Sequence, residues 1–161
     1  MKKIGITTTV PVEILLAAGY QPVDLNNVFI ADPSPERLIT IAERAGFPLN
    51  CCSWIKGIYG ACMEHKIDTV LCVTTGDCSN TVMLMEVLKL KGIKTIPFAY
   101  PDKPDIVKMQ AALQELAKTL NTTLVENPDL PRLGISERSK GDRFQQRFVA
   151  GILFQELQQR G

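Results

Sequence analysis

The chain has 161 residues, 45% apolar and 22% charged, which fits one soluble globular domain with a substantial core. Its net charge of +1 argues against nucleic acid or an anionic membrane as a general partner. No run approaches the ~18 apolar residues of a membrane span, the first residues lack a secretory pattern, and five cysteines form no even disulfide set, so a cytoplasmic chain with free thiols is expected.

In chain order, residues 3–7 form a short apolar strand candidate. Residues 10–18 read as a helix, with Pro11 suited to its first turn and Gly19 ending it. Residues 21–25 are strand-like. A helix follows over 35–45, with Ser34 as its cap, Pro35 at its first position and Leu38, Ile39, Ile41, Ala42 and Ala45 on one face. Residues 52–64 form another helix, with Trp54, Ile55, Ile58, Tyr59 and Cys62 at helical spacing.

The run 69–74 is a fully apolar strand. Residues 79–91 are helical, with Val82, Leu84, Met85 and Leu88 facing inward, and 94–98 form a strand. The helix over 105–120 is strongly periodic, with Ile106, Met109, Leu113, Leu116 and Leu120 on one side. Strands alternating with helices predict an α/β domain over residues 1–120, its mostly parallel sheet covered on both faces. Residues 121–161 read as a polar, proline-bearing connector and an extra C-terminal helix over 143–159. That helix packs back on the domain or meets a partner. The basic residues Arg132, Arg138, Lys140, Arg143 and Arg147 form a solvated tail or a contact for an anionic ligand or acidic partner.

Two cysteine-bearing segments carry the candidate chemistry, Cys51-Cys52-Ser53-Trp54-Ile55-Lys56-Gly57 and Thr74-Thr75-Gly76-Asp77-Cys78-Ser79-Asn80. Each precedes a predicted helix, and the second follows a strand. Sites in open α/β sheets form at the carboxyl ends of strands. Unpaired N–H groups at a helix N-terminus favour thiolate, the form that binds metals and attacks electrophiles. Gly76 lets the chain turn sharply, while Asp77 or Ser79 can cap the next helix. Cys52 and Cys78 are therefore the leading candidates, with Cys51 behind them. Cys62 and Cys72 fall at core positions. His65 sits at a helix end, where the dipole favours it, and lies too far from Cys52 to serve as its base. A C-x-x-C pair is missing, so the spacing suits zinc poorly.

The order of these pieces resembles the 2-hydroxyacyl-CoA dehydratase family, D-component type, which also includes benzoyl-CoA reductase subunits. The matching stretches are the run from Thr9 through Glu13, Gly19 and Val23, then Cys52-x-x-x-Lys56 with Tyr59-Gly60, then the strand ending in Thr74-Thr75-Gly76-Asp77-Cys78. They lie between residues 4 and 120. The resemblance implies a Rossmann-like three-layer sandwich and an oxygen-sensitive iron–sulfur cluster on cysteine thiolates. It also implies an ATPase activator that injects one electron, and a CoA-thioester substrate held between paired subunits. By motif, Cys52 matches the first cluster ligand and Cys78 the second. Cys51 would be a substitute ligand or a neighbour of the cluster. Lys56, Asp77, Ser79 and Asn80 would be surrounding donors or substrate contacts.

Three features depart from the family pattern. Gly76 stands where the family has cysteine followed by aspartate, and Cys78 follows Asp77 instead. The sequence contains no cysteine after Cys78, whereas the family's third ligand comes from a second half. Much of the pocket that half would form is likewise missing. A cubane is typically held by four thiolates. The expected arrangement is thus a homodimer sharing one [4Fe–4S] cluster between two copies of Cys52 and Cys78, or a paired dehydratase-like subunit supplying the rest. The rival expectations are a non-catalytic scaffold subunit of such a complex and a thiol enzyme using Cys52 or Cys78 as nucleophile.

Overall fold

The computed structural model describes residues 1–123. The expected C-terminal helix and most of the connector lie outside the described residues. Four strands form one all-parallel sheet in the order β2-β1-β3-β4. They are β1 (Lys2–Ile6), β2 (Tyr20–Asp24), β3 (Thr69–Thr75) and β4 (Lys94–Ala99). Register runs from Lys2 opposite Tyr20 to Ile6 opposite Asp24, with Ile6 also opposite Leu71 and Leu71 opposite Ile96. Six helices accompany them: α1 (Val12–Ala17), α2 (Leu25–Ala31), α3 (Pro35–Arg44), α4 (Ser53–Glu64), α5 (Asn80–Leu90) and α6 (Ile106–Thr119). The α/β three-layer expectation agrees with this architecture.

Two apolar clusters fill the faces. Ile4, Ile6, Leu71, Val73, Ile96 and Phe98 meet Leu15 of α1 and Met109, Leu113 and Leu116 of α6. On the other face Val70 and Cys72 meet Leu25 and Phe29 of α2, Leu38 of α3, the core of α4, and Leu84 and Leu88 of α5. The chain thus steps from β1 to β2 over one face and returns past β1 to β3 over the other. Right-handed crossovers running in opposite directions require opposite faces. The direction reverses between β1 and β3, and a crevice opens at their carboxyl ends.

Helix α4 is buried from Ile55 to Cys62 without interruption. A helix buried on nearly every side belongs in the interior, and Lys56 is the one charged residue in this run. Gly60 lets it press against the backbone of α3, since a Cβ there would strike the Leu38 carbonyl.

Several local expectations need correction. The sequence pattern predicts no helix over residues 25–31, yet α2 lies there. Its cap is Asp24, whose carboxylate accepts the N–H groups of Asn26 and Asn27. Ser34 occupies the cap position of α3 but makes no side-chain cap bond. Instead Asp32 accepts the Ser34 N–H at 2.8 Å. Val82 points outward, 40% exposed, because the inward stripe of α5 is Thr81, Leu84, Met85 and Leu88. Ile106 is exposed in the first turn of α6. Trp54 is 44% exposed and packs edge-to-face on Phe29 of α2 rather than under α4.

Candidate functional site

The site residues gather at the carboxyl edge of the sheet. Helices α4 and α5 both run from that edge toward the amino ends of the strands they precede, β3 and β4, and they pack against each other on one face. Their N-termini therefore lie at the same edge of the sheet. Cys52 is the N-cap of α4, and its carbonyl accepts the Lys56 N–H at 3.1 Å. Cys78 precedes the N-cap Ser79 of α5, and its carbonyl accepts the Thr81 N–H at 2.9 Å. Both thiols are free and exposed, and Cys51 is half-buried.

The β3–α5 loop owes its course to local chemistry. A register irregularity between Val73 and Thr75 bends the end of β3. There the Thr74 hydroxyl donates to the Phe98 carbonyl at 3.3 Å, and the Tyr100 N–H to the Thr75 carbonyl at 3.1 Å. Gly76 then adopts φ +91°, a left-handed turn that glycine takes without steric cost. Asp77, not Ser79, reaches the new helix: its Oδ2 accepts the buried Thr81 hydroxyl at 3.5 Å. Ser79 and Asn80 are exposed beside Cys78.

Across the crevice, the Thr7 hydroxyl accepts the Val73 N–H at 3.2 Å and joins the ends of β1 and β3. Asn26 ties in a third segment. Its Nδ2 donates to the Thr7 carbonyl at 2.7 Å, and its Oδ1 accepts Trp54 Nε1 at 2.7 Å. Sequence reasoning overlooked Asn26 and Thr7. The available signal was Asp24-Leu25-Asn26-Asn27 followed by Phe29, a cap before an i, i+4 apolar pair.

Lys56 lies behind the Cys51–Cys52 turn. It is 3% exposed, and its ammonium donates to Glu43 Oε1 at 2.7 Å and to the Leu49 carbonyl at 3.1 Å. Cys62 and Cys72 are core residues. Burial pushes both thiols up to about 12 and keeps them in the unreactive protonated form. His65 is the C-cap of α4, at the opposite end from Cys52. A twelve-residue helix spans roughly 18 Å at its usual rise, so these two side chains do not form a nucleophile–base pair.

The family model of the 2-hydroxyglutaryl-CoA dehydratase D-component matches residues 7–133, most of the chain and all of this edge. The chain belongs to that family. A comparison with curated proteins finds no match. Thiols suit an iron–sulfur cluster in kind. They fall short in number, because no group of three or more His, Cys, Asp or Glu side chains among the described residues is placed to hold a metal ion. The described part of one copy does not make a complete cluster site. No helix among the described residues is long and apolar enough to cross a membrane.

Proposed function

We propose that this D-component relative is an iron–sulfur subunit taking part in low-potential one-electron reduction, with Cys52 and Cys78 as its cluster ligands. One observation carries the reading: two exposed, free thiols stand at the N-termini of α4 and α5, two helices that pack on the same face and start from the carboxyl edge of a parallel sheet. Positive helix ends offset the negative charge of a thiolate-bound cluster. A second copy of the chain, or a paired dehydratase-like subunit, supplies the remaining ligands. An ATPase activator as electron donor and a CoA thioester as substrate belong to the same proposal. Both rest on family membership.

The test is anaerobic purification with iron and sulfide quantitation and EPR after reduction, on the wild type and on Cys52→Ser and Cys78→Ser. About four irons per dimer, lost in either variant, support a shared cubane. Absence of iron after reconstitution sinks the proposal. It would favour the second reading, a scaffold subunit that pairs with a cluster-bearing chain, to which the lack of a three-donor set among the described residues also points.

A further inference from the structure

The turn carrying Cys51 and Cys52 is held from both sides by residues that do not themselves present a free group to the site. Upstream, the segment between α3 and α4 leaves the helix at Phe47, whose buried ring packs on Tyr59 of α4 at a centroid distance of 4.9 Å. The Cys51 N–H then closes a turn on the Pro48 carbonyl at 3.0 Å. Inside that turn, the Leu49 carbonyl receives the Lys56 ammonium, which Glu43 of α3 also binds. The Leu49 side chain itself is 81% exposed, so Lys56 fastens the backbone of this segment. Downstream, Trp54 follows Cys52 by two residues. Its indole N–H is fixed by Asn26, whose amide also holds the Thr7 carbonyl beside the β1–β3 crevice.

We infer that Lys56 and Asn26 are positioning residues that set the Cys51–Cys52 turn against the sheet edge, Lys56 through Leu49 and Asn26 through Trp54. A buried ammonium with two acceptors is costly to displace, since any other arrangement leaves a charge without partners in the interior. The indole bond links the turn to the ends of β1 and β3, the strand that leads into the Cys78 loop. Lys56 thus acts on the thiol ledge through backbone placement rather than by touching a ligand. The inference rests on the proposed role of Cys52 for its functional meaning, but its geometry can be tested without a cluster.

The experiment uses the full chain, metal-free and reduced, as wild type, Lys56→Met, Lys56→Arg and Trp54→Phe. Trp54→Phe removes the indole N–H, at the cost of part of the ring that packs on Phe29, and leaves the groups that Asn26 bonds at Thr7 and Asp24 in place. Two quantities are read: amide hydrogen exchange at Cys51 and Lys56, and the iodoacetamide alkylation rate of Cys52 relative to Cys78. Loss of a charged hydrogen bond predicts exchange about tenfold faster or more at Cys51 and Lys56 in Lys56→Met, with the Cys72 amide unchanged. The Cys52-to-Cys78 rate ratio shifts by about threefold or more in Lys56→Met and Trp54→Phe, since one hydrogen bond is worth about that in a local equilibrium. Lys56→Arg returns it toward wild type. Unchanged ratios and unchanged exchange in the folded Trp54→Phe and Lys56→Met chains overturn the inference. Iron content plays no part in these readouts, so a wild type that binds no iron would refute the proposed function and leave the clamp intact.

Discussion

The Tyr100 hydroxyl donates to the Thr9 carbonyl at 2.9 Å, joining the end of β4 to the loop after β1 across 91 residues of sequence. The Tyr100 ring is buried and stands edge-on to Phe98, with centroids 4.9 Å apart. Two carboxyl-edge loops that share no strand pairing are thereby tied together. Tyr100→Phe keeps the ring and removes this donor, and should cost about 0.5–1.5 kcal/mol. Chemical denaturation checks the magnitude. An unchanged midpoint would mean that water replaces the phenol without loss.

Gly60 sets the separation of α3 and α4. A methyl group there meets the Leu38 backbone carbonyl, which cannot rotate away. Gly60→Ala should lower stability by about 1–3 kcal/mol despite the better helix propensity of alanine. At Gly57 the obstacle is the Phe29 ring, a side chain that can shift. Gly57→Ala should therefore be the milder of the two. Urea unfolding of both variants decides the order, and a reversal would mean the helices separate more easily than the ring moves.

Gly76→Ala places a Cβ in a left-handed turn at φ +91°. Strain of about 1–2 kcal/mol is expected, relieved in part by a shift of the loop that carries Cys78. The melting temperature should fall, and alkylation of Cys78 should change while that of Cys52 does not. Equal changes at both thiols would show that the loop does not move alone.

Buried Cys62 and Cys72 give stability an alkaline limit. Burial raises both thiols from an ordinary value of 9.0 to about 12. Below about pH 9 both the folded and unfolded chains hold these protons, and their contribution is complete. Between pH 9 and 12 the unfolded chain releases them while the folded chain does not, so stability falls as pH rises. Each thiol contributes a slope of up to about 1.4 kcal/mol per pH unit. Cys72→Val should flatten the decline without abolishing it, because Cys62 remains. Urea midpoints under reducing conditions at pH 7, 9, 10 and 11 supply the comparison. A slope identical in the variant would remove Cys72 from the account.

The alternation of apolar runs with periodic segments was enough to read an α/β domain, because strand and helix leave different spacings of apolar residues in a chain. Glycine before Cys78 and the cysteines ahead of α4 and α5 were legible for the same local reason: turns and helix starts depend on nearby residues. Helix α2 escaped because it is short, with seven residues and one apolar pair facing inward. Its cap bonds are visible only once the Asp24 side chain is placed. The outward turn of Val82 and Trp54 depended on which neighbour filled the interior, Thr81 in one case and Phe29 in the other.

By itself, the sequence determined the order of the four strands and of five of the six described helices, the candidate thiols and, through its likeness to the D-component pattern, the family. Only the tertiary structure decided that the helices led by Cys52 and Cys78 pack on one face of the sheet, that Lys56 is turned inward onto Glu43 and Leu49, and that Asn26 links Thr7 to Trp54. Those relations join residues far apart in the chain. Local preference is blind to them, because the direction of a long polar side chain is set by which partners the packed fold brings within hydrogen-bond reach.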